Sequence, residues 1–109
     1  MKVHVTVHSI ARYAQRVLRT HDERLDDESV LADLGEETIE RIRAAILDVC
    51  ADVARVGGRG ITCGGIVYVI DAGRIVTLYA TGAVDLDARP ERLKQALKAW
   101  RPAEIGAAA

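Results

Sequence analysis

The spacing of apolar residues changes at Gly57-Gly58, and that change restricts what this chain can fold into. Before it, Ile39, Ile42, Ile46, Val49, Val53 and Val56 recur every three or four residues, which places them on one stripe of a long helix from Glu36 to Val56. Glu36, Glu37 and Glu40 lie where the helix dipole favours negative charge, and Arg55 lies near the opposite end. Beyond the glycines, Ile61 to Cys63, Gly65 to Asp71 and Arg74 to Ala80 are β-branched runs. Gly64-Gly65 and Asp71-Ala72-Gly73 separate them, so they read as consecutive antiparallel strands joined by tight turns. Ile66, Val67, Val69 and Ile70 are nearly all apolar, the pattern of a central strand covered on both faces.

The N-terminal segment supplies a further strand and helix. Val3, Val5 and Val7 alternate with His4 and Thr6 as in a short strand, and Thr6 is then placed to cap a helix over Val7 to Thr20. Ile10, Ala14, Val17 and Leu18 form the apolar stripe of that helix. The acidic stretch His21 to Glu28 reads as a solvated connection, Ser29 to Leu34 as a helical turn or two, and Arg89 to Trp100 as a closing helix with Leu93, Leu97 and Trp100 in phase. The reading is an α+β fold, in which an N-terminal short strand and helices pack on a mainly antiparallel three- to four-stranded sheet, with a C-terminal helix. At 109 residues, one domain over 1–101 with a frayed tail at 102–109 is expected.

With no Phe and only 4% aromatic residues, the core must come from Val, Ile, Leu and Ala. Cys50 and Cys63 form neither a CxxC pair nor a zinc set and read as buried free thiols. The chain shows neither a signal-peptide pattern nor an apolar run long enough to span a bilayer, so a cytoplasmic protein without a membrane partner is expected. The net charge of −1 hides an asymmetry: residues 1–20 carry Lys2, Arg12, Arg16 and Arg19 with no acid, while residues 21–56 carry eleven acids against four bases. That pattern excludes a uniformly basic nucleic-acid coat but leaves room for a local basic face.

His8, Arg12 and Arg16 are spaced by four, so they lie along one face of the first helix, extended by Arg19. Guanidinium groups there suit phosphate, and His8 suits proton transfer near neutral pH. The same side chains also suit a solvated surface paired with the acidic block. In the last strand, simple alternation puts Ile75, Thr77 and Tyr79 on one face and Arg74, Val76 and Leu78 on the other. Thr77 and Tyr79 could position a phosphate or a base there, or serve only as good strand formers. The glycine cluster from Gly57 to Gly65 matches neither a phosphate loop nor a dinucleotide fingerprint, and His4, His8 and His21 are too scattered for a metal site. No cofactor is expected.

Two segments carry a resemblance. Thr6-Val7-His8-Ser9-Ile10-Ala11-Arg12-Tyr13-Ala14-Gln15-Arg16-Val17 and Asp71-Ala72-Gly73-Arg74-Ile75-Val76-Thr77-Leu78-Tyr79 resemble small prokaryotic and phage proteins of the barnase-EndoU-colicin-RelE type, the RelE-like toxins. The resemblance covers about a fifth of the chain. It implies a metal-independent ribonuclease in which a ribose 2′-hydroxyl attacks the adjacent phosphate. His8 would then act as base or acid, Arg12 and Arg16 would hold the phosphate, and Thr77 and Tyr79 would orient the RNA substrate. An antitoxin or other protein partner would accompany it. Ser9 stands where that pattern expects Ala, and no second histidine or glutamate is placed as partner to His8. The alternative is a non-enzymatic phage or host accessory protein that uses the same fold to bind protein or nucleic acid. The enzyme reading requires His8, Arg12 and Arg16 to converge with Thr77 or Tyr79 in one concave site. It also predicts that His8→Ala abolishes RNA cleavage. The stripe from Ile39 to Val56 permits a monomer, packed on its own sheet, or a homodimer through the 36–56 helix.

Overall fold

Thr6 starts the first helix as its capping pattern requires. In the computed structural model, which describes residues 2–91, its Oγ1 accepts from Ser9 N at 3.2 Å and donates to Ile75 O at 2.8 Å. One hydroxyl therefore caps the helix and ties it to the sheet. The chain runs β1 (His4–Val5), α1 (Val7–Arg12), a π-helical turn (Tyr13–Val17), α2 (Asp27–Leu34), α3 (Glu36–Arg55), β2 (Gly60–Cys63), β3 (Ile66–Asp71) and β4 (Arg74–Ala80). The sheet order is β1-β4-β3-β2, with β1 parallel to β4 and the other pairs antiparallel. The α+β class, the short first strand and the mainly antiparallel four-stranded sheet are as expected. Residues 92–109, which hold most of the expected closing helix and the tail, lie outside the described residues.

The core lies on one face of the sheet. Ile10, Tyr13 and Val17 from the first helix and Ile42, Ile46, Val49, Cys50 and Ala54 from α3 meet Val5, Ile66, Tyr68, Ile70, Ile75 and Leu78 from the strands. The long helical stripe is thus used within the chain's own core, although Val56, at its end, is 80% exposed. A small satellite of Ala11, Ala14 and Val30 seats α2 against the first helix. That helix begins earlier than Ser29, because Asp26 inside the acidic stretch accepts from Ser29 N at 2.8 Å and caps it.

Three further expectations are corrected. The first helix stops at Val17: Leu18 N closes the π-turn on Tyr13 O and Arg19 then adopts φ 56; Leu18 is exposed and the buried set is Ser9, Ile10, Ala11, Tyr13, Ala14, Gln15 and Val17. The strand β3 is buried on one face only: Ile66, Tyr68 and Ile70 point into the core, while Val67 and Val69 are half-buried on the other side. In β4 the simple alternation fails. Val69 pairs with Thr77 but Ile70 pairs with Ile75, so Val76 is an extra, bulged residue. The bulge puts Ile75 in the core with Leu78 and leaves Thr77 and Tyr79 together on the opposite face.

Cys50 and Cys63 are buried and not disulfide-bonded. Burial, reinforced by the neighbouring Cys63, pushes the Cys50 thiol up to about 12, so it stays protonated and unreactive at neutral pH. We expect iodoacetamide to label Cys50 rapidly in urea and hardly at all in the folded protein; equal rates would contradict this packing. Among the described residues, no helix is long and apolar enough to cross a membrane.

Candidate functional site

The π-turn sets the geometry of the site. An i to i+5 bond inserts one residue's worth of rotation between Arg12 and Val17, so the fourfold spacing of His8, Arg12 and Arg16 no longer keeps them on one line. His8 and Arg12 stay together. His8 Nδ1 is 2.9 Å from Asp27 Oδ2 on α2, and Arg12 Nε donates to His8 Nε2 at 3.3 Å. A guanidinium can only donate, so Nε2 must be unprotonated and Nδ1 carries the proton toward the carboxylate. Both ring nitrogens of His8 are therefore engaged within the protein.

Arg12 continues the network inward. Its second bond, from Nη1 to Gln15 Oε1 at 2.6 Å, leaves the Gln15 amide nitrogen to donate to Asp22 O at 2.9 Å and Leu25 O at 3.1 Å. Gln15 is only 4% exposed, a buried polar side chain made acceptable by these bonds. The acidic connection between the first helix and α2 is thus held to the π-turn from inside.

Arg16 turns the other way. Its Nη1 donates to Leu78 O at 3.0 Å and its Nε to Glu23 Oε1 at 2.8 Å, which spans the edge of β4 and the connection. Beside it opens a cleft of about 640 Å³, lined by Arg16, Arg19, His21 and Tyr79 together with Gln15 and Glu23. His21 is fixed on both sides, with Nε2 2.6 Å from Asp33 Oδ2 and Nδ1 2.8 Å from Thr20 Oγ1. A carboxylate acceptor at Nε2 places a ring proton there, and in the neutral imidazole Nδ1 is then an acceptor open to the threonine hydroxyl. An imidazole oriented by a carboxylate and facing a hydroxyl has the elements of a general base.

Of the five residues expected to form a site, Arg16 and Tyr79 line this cleft. His8 and Arg12 belong to the network between the first helix and α2. Thr77 lies two residues before Tyr79 on the same sheet face and is half-buried, outside the cleft lining. Sequence reasoning overlooked His21 and the role of Asp33, since the acidic stretch gave no periodicity to show that they meet. Gln15 was unmarked because only the π-turn carries it inward. Among the described residues, no three His, Cys, Asp or Glu side chains group as a metal site requires. No protein-family model, characterised protein or solved structure matches this chain.

Proposed function

We propose that this protein binds RNA in the cleft beside β4 and cleaves it without a metal, by attack of a ribose 2′-hydroxyl on the adjacent phosphate. The observation that carries the reading is the convergence of Arg16, Arg19, His21 and Tyr79, from three separate segments, on one open cleft. The two guanidinium groups suit a phosphodiester and the charge that grows on it during displacement. Tyr79, 45% exposed, offers a ring on which a base can stack. His21 takes the 2′-hydroxyl proton at Nδ1 once that hydroxyl replaces Thr20 there, while Asp33 stabilises the imidazolium. The bond from phosphorus to the 5′-oxygen breaks as the 2′-oxygen bonds to phosphorus, and the imidazolium returns its proton to the leaving oxygen, which gives a 2′,3′-cyclic phosphate and a free 5′-hydroxyl.

A second reading, RNA binding without cleavage, is favoured by the pairing of Arg16 with Glu23 and by the internal engagement of His8 and Arg12. Incubation of labelled RNA in EDTA separates the two. We expect cyclic phosphate ends, with Arg16→Ala and His21→Ala each slowing cleavage by about 100-fold or more. Loss of cleavage in His8→Ala with His21→Ala unimpaired would return the base to the first helix. Binding that depends on Arg16, with no cleavage, would establish the second reading.

A further inference from the structure

We propose that Thr20 is itself a nucleophile, with His21 as its base, so that the cleft acts on phosphodiesters that have no 2′-hydroxyl. The inference rests on the phosphodiester reading of the cleft but supplies a different attacking atom. Three groups stand in sequence: Asp33 Oδ2 lies 2.6 Å from His21 Nε2, and His21 Nδ1 lies 2.8 Å from Thr20 Oγ1. A hydroxyl on a base, with the base oriented by a carboxylate, is the arrangement that activates a weak oxygen nucleophile. Thr20 has one hydroxyl proton and two acceptors in reach, Nδ1 at 2.8 Å and Ala14 O at 3.3 Å. Turned from Ala14 O to the nearer Nδ1, that proton passes to the imidazole and leaves the oxygen lone pairs free for attack.

Thr20 is exposed and adjoins Arg19 and His21, which line the cleft; it is not itself among the lining residues, so the reacting phosphorus must sit at the margin of the cleft, against the threonine. Arg19 has φ 56, a conformation unusual for a residue with a side chain, and this turn is what delivers Thr20 and His21 in succession after the first helix ends. The His21 side chain is 10% exposed, so its ring is held rather than free to rotate away from the hydroxyl. Arg16 and Arg19 flank the pair and select an anionic electrophile over a neutral ester.

In the step proposed, a bond forms between Thr20 Oγ1 and phosphorus while the bond from phosphorus to the leaving oxygen breaks. The threonine proton passes to His21 Nδ1, and the imidazolium, held by Asp33, returns it to the leaving oxygen. Water then attacks the phosphothreonine: its oxygen bonds to phosphorus, the bond to Oγ1 breaks, and the hydroxyl is restored.

The probe is bis(p-nitrophenyl) phosphate, which contains no hydroxyl of its own, incubated with the full chain. We expect a stoichiometric burst of p-nitrophenolate and a p-nitrophenyl phosphoryl adduct on Thr20 by mass spectrometry. Thr20→Ser should retain both; Thr20→Val and His21→Ala should lose both, with circular dichroism confirming that each is folded. Absence of a burst, an adduct at another residue, or an adduct that survives in the valine variant would overturn the proposal. RNA cleaved to cyclic ends with no adduct on Thr20 would overturn it while leaving the ribonuclease reading intact. An adduct on Thr20 without RNA cleavage would support it and refute attack by the 2′-hydroxyl.

Discussion

Gly65→Ala is expected to lower the stability of the protein by about 3 kcal/mol, the sum of backbone strain and a steric clash. Gly65 has φ 80, and a Cβ at that position would lie 2.2 Å from Ala83 O and 3.2 Å from Ala83 C. Those neighbours are backbone atoms, so no side-chain rotation relieves the contact. They are also fixed: Thr81 N donates to Gly65 O at 2.8 Å, and Asp85 N donates to Gly64 O at 2.8 Å. The segment after β4 folds directly over the β2–β3 turn, and the two glycines are what let it approach. Gly57, just past the end of α3, provides the control, since it has a similar φ of 81 but a Cβ there would meet nothing within 4 Å. Gly57→Ala should therefore cost only the backbone strain, about 1 kcal/mol. Urea unfolding of the two variants measures the difference. Equal losses would mean that the segment over the turn yields to the new methyl group.

The tight turns at Gly64-Gly65 and Ala72-Gly73, the Thr6 cap and the long stripe of α3 were legible because each is a local rule written in a few adjacent residues. The features that shape the site are not of that kind. Ile75 and Val76 are both apolar, so either phase of β4 could be buried; the bulge is decided by pairing with β3, which the strand's own sequence does not encode. The Asp26 cap of α2 was hidden among other acids that could have played the same part. The π-turn is still less visible, because the residues of Tyr13–Val17 suit an ordinary helix equally well. It accompanies tertiary bonds that no local pattern announces, those Gln15 makes to the connection. Two of the five expected site residues therefore reached the cleft, and the histidine that joined them came from a segment read as solvated.

Gln15→Ala tests what those bonds hold and carries the other large expected effect. The variant removes the acceptor for Arg12 and the donor for two carbonyls, Asp22 O and Leu25 O. Three net bonds at about 1 kcal/mol each, with some return of water to the opened space, give a loss of about 3 kcal/mol. The stability change alone would not distinguish a clamp from ordinary packing, but the pattern of amide exchange does. Because the lost donors hold the connection rather than the core, amides of residues 22–25 should exchange faster, while those of β3 and α3 should follow only the global loss of stability. Gln15→Glu sharpens the test. A carboxylate keeps the shape and still accepts from Arg12, yet it faces the two carbonyls with oxygen where a donor is required. If the connection is held by those two donated bonds, the glutamate variant should loosen residues 22–25 as the alanine variant does, even though its charge pairs better with Arg12. Retention of slow exchange there in Gln15→Glu would instead make the Arg12 contact the one that matters, and the cleft wall carrying Arg19, His21 and Glu23 would depend on the guanidinium rather than on the amide.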